Sequence, residues 1–148
     1  MYDFANSSFS TLVITFVYAT YFTKFIAPDE ISGTSLWSKG LTLSALIVAL
    51  LSPVLGAIGD RSGFRKHFLF IATSIAIIST SFLYSILPGQ TTLAIIWFVL
   101  ANSAYEIGIV FYNSFLPNIA MPKLIGRISG NAWAFGYVGG LLVMGIAW

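Results

Sequence analysis

The stretch Leu41–Lys66, LTLSALIVALLSPVLGAIGDRSGFRK, decides the fold class, because a long uncharged run in it ends abruptly in a charged loop. No charged residue lies between Leu41 and Gly59, and about 20 apolar residues in a helix cross a hydrocarbon core. The whole chain shares this character, with 57% hydrophobic and 8% charged residues, against roughly 25% charged in a soluble domain. The sequence therefore predicts an all-α, polytopic membrane protein.

Five apolar runs predict five transmembrane helices, and glycines and prolines punctuate the loops between them. The runs are continuously apolar and lack the alternation of membrane-spanning strands. The predicted helices cover residues 4–26, 38–59, 67–87, 93–116 and 127–148. We expect one transmembrane domain over residues 1–148 and no second domain. Because an apolar run is still in progress at Trp148, we interpret the chain as a piece of a larger protein or the product of a truncated gene.

The lysines and arginines predict the orientation of the helices, since the cytoplasmic loops of membrane proteins carry an excess of these residues. The loops after the second and fourth runs hold five of them: Arg61, Arg65, Lys66, Lys123 and Arg127. The opposite side holds only Lys24 and Lys39. We therefore expect the N-terminus and both basic loops in the cytoplasm.

The residues that enzymes and metal sites need are nearly absent from the sequence. The chain has no cysteine, a single histidine in a basic loop (His67), and neither an HExxH nor a GxSxG motif. We expect no enzymatic activity, no cofactor and no metal site. The net charge of +2 comes from loop residues, so it reports on orientation and gives no indication of nucleic-acid binding. The lipid bilayer is the expected partner, and no nucleic acid is.

The loop between the second and third helices, GAIGDRSGFRK, has a spacing that the positive-inside rule alone would not require. One glycine lets helix backbones approach closely, and another permits a tight reversal with positive φ. Its carboxylate can accept hydrogen bonds from exposed amides, and its cations can hold the loop at an anionic membrane surface. The residues concerned are Gly56, Asp60, Arg61, Gly63, Arg65 and Lys66.

Polar residues line one face of the fourth predicted helix. Asn102, Glu106 and Asn113 share that face, with Tyr105 and Tyr112 at its edge. A charged group at the bilayer centre costs about 2.5–3.5 kcal/mol, so we expect this face to look onto protein or a watery cavity. Three roles are open for Glu106: it binds the polar or cationic end of a solute, pairs with an arginine or lysine as structural glue, or carries a coupling proton.

A comparable polar face lies near the start of the first predicted helix and comprises Asp3, Asn6 and Ser7. A place along a substrate path is one interpretation of this face. The alternative for Asp3 is a position at the cytoplasmic interface, where an acid suits the N-terminal end of the helix dipole.

Small residues predict where the helices pack closely. In the fifth helix they recur every fourth residue, at Ala132, Gly136 and Gly140. In the second helix we expect a similar stripe at Ala45, Ala49, Ser52, Gly56 and Gly59. Two aromatic residues of the fifth helix, Trp133 and Tyr137, suit either core packing or the wall of a cavity.

The spacing G-x-x-x-D-R-x-G-x-R-K resembles the loop 2–3 signature of the major facilitator superfamily of secondary transporters. The segments YDFANSSF, FYNSFLPNIA and GRISGNAWAFGYVGGLL are similar to its vacuole-effluxer-like branch, the autophagy-related amino-acid effluxers and their bacterial relatives. The resemblance implies two six-helix halves, of which this chain holds helices 1 to 5 and lacks the C-terminal half. It also implies that Asp60 and Arg61 stabilise one face of an alternating-access cycle, and that helices 1 and 4 line the central cavity.

Two departures limit what the resemblance implies. The Arg-x-x-Gly signature of many proton-coupled members is absent from the fourth helix, and GYVGG in the fifth helix lacks the proline of the antiporter motif. Proton coupling and antiport are therefore not implied.

The leading hypothesis is a secondary active transporter that moves a small polar solute across a bacterial inner (plasma) membrane. The resemblance points to an amino acid as that solute. The alternatives are a transporter of sugars or drug-like cations, and a membrane scaffold or assembly protein without transport.

Overall fold

A computed structural model describes residues 2–116, 121 and 124–147, with the backbone alone at 60–62 and 147. In this part, the chain forms five long helices and no strand, which confirms the predicted all-α class. The helices are α1 (Tyr2–Ile26), α2 (Glu30–Ser62), α3 (Arg65–Leu83), α4 (Thr91–Ser114) and α5 (Ile125–Ala147).

Apolar length and apolar exposure both place these helices in a membrane. Among the described residues, α1, α2 as far as Gly59, α3 and α4 are long and apolar enough to cross one. Large apolar side chains also stand open on several helices, with Leu50 at 74%, Phe70 at 73% and Leu141 at 68% exposure. Water penalises such patches and lipid does not. The chain is therefore a polytopic membrane protein, as predicted.

Helix α1 is not a uniform α-helix. Its α-helical parts, Tyr2–Phe9 and Val17–Tyr21, alternate with wider π-helical turns at Ser10–Phe16 and Phe22–Ile26. The hydroxyl of Thr15 donates a hydrogen bond of 3.0 Å to the carbonyl oxygen of Ser10, five residues back, which matches the π-helical spacing. Beyond Ser10, the helix faces therefore depart from those that a period of 3.6 residues predicts.

Helix α2 begins at Glu30, ahead of the predicted start at residue 38. The Asp29 carboxylate caps it by accepting a hydrogen bond of 2.8 Å from the backbone N–H of Ser32. Hydrogen bonds from the backbone and side chain of Ser32 hold the pKa of the Asp29 carboxyl below its ordinary value. Gly33 lies inside the helix, where an added Cβ would stand 2.8 Å from the Cβ of Ala27. Its bare backbone lets the short connection between α1 and α2 close.

The connection from α3 to α4 holds the last turn of α1. Helix α3 ends at Leu83, before the predicted end at residue 87. In the connection that follows, Gly89 adopts a φ of 90°, which favours glycine. The carbonyl oxygen of Ile26 accepts hydrogen bonds from the N–H of Gly89 at 3.2 Å and from the hydroxyl of Thr91 at 3.4 Å. These bonds satisfy a backbone acceptor at the end of α1.

Two compact units make up the chain: the central unit, Phe22–Phe115, and the terminal unit, Met1–Tyr21 with Leu116–Trp148. Aromatic rings form the core of the central unit. Trp37 of α2 stacks on Phe98 of α4 with 3.8 Å between ring centroids and lies 5.3 Å from Phe22. Helix α3 packs on α4 through two stacked pairs, Phe82–Trp97 and Phe68–Phe111. Helix α4 is thereby held on two sides.

In the terminal unit, α5 packs on the start of α1 through glycines. A Cβ added to Gly136 would lie 2.6 Å from the hydroxyl oxygen of Ser7, and one added to Gly140 would lie 2.6 Å from that of Thr11. Real Cβ atoms essentially never come so close, so glycine is what lets the two helices meet here. Ala132, the first member of the predicted ridge, is half-buried.

Candidate functional site

A buried hydrogen bond joins α2 to α4 inside the central unit. The amide nitrogen Nδ2 of Asn102 donates to the hydroxyl oxygen of Ser44 over 2.7 Å, and this hydroxyl donates in turn to the carbonyl oxygen of Leu41 over 2.9 Å. Ser44 is fully buried and Asn102 is 5% exposed. Asn102, which the sequence placed on a polar face, thus turns its amide nitrogen toward α2.

Two buried oxygens next to this bond have no hydrogen-bond partner among the described residues: Oδ1 of Asn102 and Oγ of Ser103. The Ser103 side chain is 6% exposed. Leaving a buried polar atom without a partner costs about 1–3 kcal/mol, and such atoms are rare in native proteins. Their presence in a membrane helix marks this part of α4 as a candidate functional site.

Glu106 lies one helical turn beyond these two oxygens. It is the neighbour of Asn102 at i+4 and of Ser103 at i+3, positions whose Cβ atoms are about 5–6 Å apart. Helical side chains lean toward the N-terminal end, which brings the Glu106 carboxylate toward both. The side chain is half-buried and forms no hydrogen bond or ion pair with any residue that the structure describes.

The rest of the predicted α4 stripe opens gradually. Tyr105 and Tyr112 are half-buried and both engage in interactions, and Asn113 is exposed. The stripe thus runs from a buried end at Asn102 to an open end at Asn113. This gradient is what a polar path along one helix requires, and the path itself stays a prediction.

The polar residues at the start of α1 lie against α5 in the terminal unit. Ser7 faces Gly136 through its hydroxyl, and the Asp3 backbone oxygen lies 3.3 Å from the position of a Cβ on the same glycine. The carbonyl oxygen of Ser7 also accepts a hydrogen bond of 2.9 Å from the hydroxyl of Thr11. Asn6 is half-buried on this helix. Within the terminal unit Asp3 and Ser7 pack against Gly136, and the role of the three polar residues in a substrate path stays a prediction.

The loop between α2 and α3 is tied to the end of α4. Gly63 has a φ of 69° and ends α2 in the left-handed conformation. The guanidinium of Arg65 donates a hydrogen bond of 3.1 Å to the carbonyl oxygen of Ser114. Lys66 is exposed. The predicted gating side chains of Asp60 and Arg61 lie outside the described residues.

Of the two glycines in the stripe predicted for α2, Gly59 approaches another helix closely within the described residues. A Cβ on Gly56 would meet no atom within 4 Å in the part of the chain that the structure describes. One on Gly59 would lie 2.9 Å from the ring of Phe111 in α4. Ala45 and Ala49 of the predicted stripe are exposed. Over its first half the predicted stripe does not face α4, because the α2 face that packs on α4 passes one residue away, through Gly40 and Ser44. Contact of the stripe with any other helix stays a prediction.

Three residues of interest escaped prediction: Ser44, which bonds to Asn102, Ser103 with its buried hydroxyl, and Gly139, where a Cβ would clash with the Phe4 backbone oxygen. The Gly40–Ser44 spacing of four residues was a usable signal for Ser44, and the GG doublet at residues 139–140 was one for Gly139.

The aromatic pair Trp133 and Tyr137 does not pack into a core of the described chain, since the two residues are 62% and 66% exposed and contact each other edge to face at 6.2 Å. No three histidine, cysteine, aspartate or glutamate side chains cluster for a metal ion within residues 2–59, 63–116 and 124–146.

Apolar helices of membrane length define a polytopic membrane protein, and one of them carries a carboxylate without a partner among the described residues and two buried oxygens, one amide and one hydroxyl. The family model described as vacuole effluxer Atg22 like matches residues 22–148. The chain therefore belongs to the vacuole effluxer Atg22-like family, and the resemblance drawn from its motifs is confirmed.

Relatives from bacteria and fungi match most or part of the chain. An uncharacterized MFS-type transporter, YxiO, of Bacillus subtilis (strain 168) is 28% identical over 142 residues, which are 94% of this chain and 33% of that protein. An uncharacterized protein of Aquifex aeolicus (strain VF5) is 30% identical over 97% of this chain and 35% of its own length. Autophagy-related protein 22 of Botryotinia fuckeliana (strain B05.10) is 26% identical over 63% of this chain and 14% of its own length. No solved structure matches significantly. The chain thus spans about a third of the length of the two bacterial relatives.

Proposed function

We propose that this chain is the N-terminal part of a secondary active transporter of the major facilitator type. Together with a C-terminal half, it moves a small polar solute, an amino acid or a similar zwitterion, across a bacterial inner membrane by alternating access. The observation that carries the proposal is Glu106, a half-buried carboxylate in a membrane helix without a partner among the described residues. The family and the printed name of the Bacillus relative support it.

The cost of placing Glu106 in a membrane favours transport over a scaffold. A charged side chain at the centre of a membrane helix costs about 2.5–3.5 kcal/mol, and intramembrane acids usually face a water-filled cavity or a partner. A scaffold needs the packing of α1 on α5 and of α2 on α4 but gains nothing from an unpartnered acid. A cation that binds there, either the ammonium group of a solute or a coupling ion, would offset that cost each time it binds. Transport also uses the polar groups without any catalytic chemistry.

The contacts of the α2–α3 loop support a gating role on the proposed cytoplasmic side. Arg65 holds the end of α4 through the Ser114 carbonyl oxygen, and Gly59 brings α2 against Phe111 near the same end. Any movement of this loop is therefore transmitted to the helix that carries Glu106. In this proposal the α2–α3 loop switches its contact with the end of α4 between two states. Asp60 and Arg61 are the charged pair that the family motif supplies for this switch.

Counterflow of labelled amino acids into proteoliposomes tests the proposal, with the full-length protein in which this chain is joined to its C-terminal half. We expect exchange of at least one zwitterionic amino acid, and a loss of apparent affinity for it in Glu106→Gln. Absence of counterflow for amino acids, sugars and organic cations alike would remove transport and leave the scaffold. Normal affinity in Glu106→Gln would remove Glu106 from the solute site.

A further inference from the structure

Three oxygen-bearing side chains occupy neighbouring positions, 102, 103 and 106, within about one turn of α4. Oδ1 of Asn102 and Oγ of Ser103 are buried and lack partners among the described residues, and the Glu106 carboxylate follows at the next turn on the same side. Side chains at i+3 and i+4 are neighbours on a helix surface, and all three lean in the same direction along it. We therefore treat the three side chains as one group and call it the oxygen cluster.

The hydrogen-bonding capacity of these groups sets the kind of partner they need. The Asn102 amide has already given Nδ2 to Ser44, so the group that remains is an acceptor. An ionised carboxylate accepts only, and a serine hydroxyl accepts as well as donates. The cluster therefore presents acceptors and one negative charge, and no cationic side chain among the described residues answers it. Its complement is a small cation.

We propose that the oxygen cluster of Asn102, Ser103 and Glu106 binds an alkali cation of the size of sodium. A hard cation takes oxygen ligands, and carboxylate, amide carbonyl and hydroxyl oxygens are such ligands. A single carboxylate balances one positive charge, whereas sites for divalent cations collect more than one acid or substrate phosphates. A proton on Glu106 would neutralise the carboxylate and supply one O–H donor, which can satisfy one of the two neighbouring oxygens but not both. A monovalent metal ion satisfies all three groups at once.

Coupling to solute movement follows from the position of the oxygen cluster. Asn102 is bonded to Ser44, so an ion on Oδ1 also orients the bond that joins α2 to α4. The far end of α4 is held by Arg65 of the α2–α3 loop, so the ion and the loop act on the same helix. The coupling role rests on the proposed transport function, whereas binding of the ion does not.

Thermal unfolding of the purified full-length protein tests the binding, with NaCl replaced stepwise by choline chloride at constant ionic strength and no solute present. A ligand that binds only the folded state raises the midpoint of unfolding in a saturable way. We expect such a rise with Na⁺ in the wild type. Glu106→Gln and Ser103→Ala should shift the half-saturating Na⁺ concentration upward about tenfold or more, because the first removes the negative charge and the second removes a ligand oxygen.

Ser81→Ala is the matched control, because Ser81 is an exposed serine of α3 whose hydroxyl bonds within its own helix. Its Na⁺ response should equal that of the wild type. A wild-type midpoint that is the same in NaCl and choline chloride would overturn the proposal, as would an unchanged response in either Glu106→Gln or Ser103→Ala. A saturable Na⁺ response without counterflow would refute the transporter and retain the ion site, so the two failures are distinguishable.

Discussion

Replacing Ser44 and Asn102 by alanine, singly and together, isolates the bond that joins α2 to α4. The bond is short at 2.7 Å, and both side chains are withdrawn from solvent and lipid, at 0% and 5% exposure. Each single substitution also removes packing and frees the other partner. The double-mutant cycle subtracts those shared effects and leaves the pairwise coupling energy.

The expected coupling energy is about 1 kcal/mol, stabilising. Hydrogen bonds between membrane helices average about 0.6 kcal/mol and reach about 1.7 kcal/mol, because the unfolded chain in the membrane also finds partners. The short length and full burial of this bond place it above that average. The loss in Asn102→Ala alone should be larger than in Ser44→Ala, since the asparagine is the larger side chain and its removal leaves a cavity.

Reversible unfolding of the full-length protein by SDS in bicelles measures these energies. A control cycle combines Ser44→Ala with Asn113→Ala, an exposed asparagine about 16 Å further along α4. That pair should be additive within about 0.3–0.5 kcal/mol. If the Ser44–Asn102 coupling is no larger than that of the control pair, then Asn102 does not bond to α2, and the assignment of its Oδ1 to the oxygen cluster fails with it.

Further predictions concern the other contacts. Gly136→Leu forces a side chain into the α1–α5 contact and should lower the stability of the protein by about 1–3 kcal/mol in thermal unfolding. The control Gly130→Leu should be close to neutral, because a Cβ on Gly130 meets no described atom within 4 Å. Arg65→Gln removes a hydrogen bond to the end of α4, so amides there should exchange faster with deuterium than in Lys66→Gln; equal exchange contradicts the tie. The Asp29 carboxyl has a folded-state pKa below its unfolded value, so its cap stabilises the start of α2 above pH of about 4 and loses this effect as the pH falls through the folded pKa. Amide exchange at the start of α2 should show that pH dependence in the wild type and not in Asp29→Asn.

The helical membrane fold was predictable because hydrophobic length is a property of each segment by itself. The start of α2 was not predictable, since the residues after Asp29 are polar and small, which is typical of a loop. The carboxylate cap on Ser32 makes them helical. The π-helical turns of α1 also escaped, because an apolar run shows no period from which a wider turn could be inferred.

The polar stripe of α4 was visible because acids and amides are rare in apolar runs. How it packs was not visible, because small residues occur all around α2 and a shift of one residue rotates a helical face by about 100°. Only the position of Ser44 opposite Asn102 decides that α2 turns Gly40 and Ser44, and not Ala45 and Ala49, toward α4. The face that α2 turns toward α4 depends on both helices together, so the sequence of neither helix alone predicts it.

The length of α2 has a consequence at the membrane surface. Its 33 residues extend about 50 Å, more than the roughly 40–45 Å of a whole bilayer with its headgroups. The uncharged part from Gly40 to Gly59 is long enough to cross the hydrocarbon core by itself. The turns from Glu30 to Lys39 therefore extend beyond that core. A spin label on the exposed Thr34 would therefore lie in the aqueous phase, and its position would report the tilt of the whole helix.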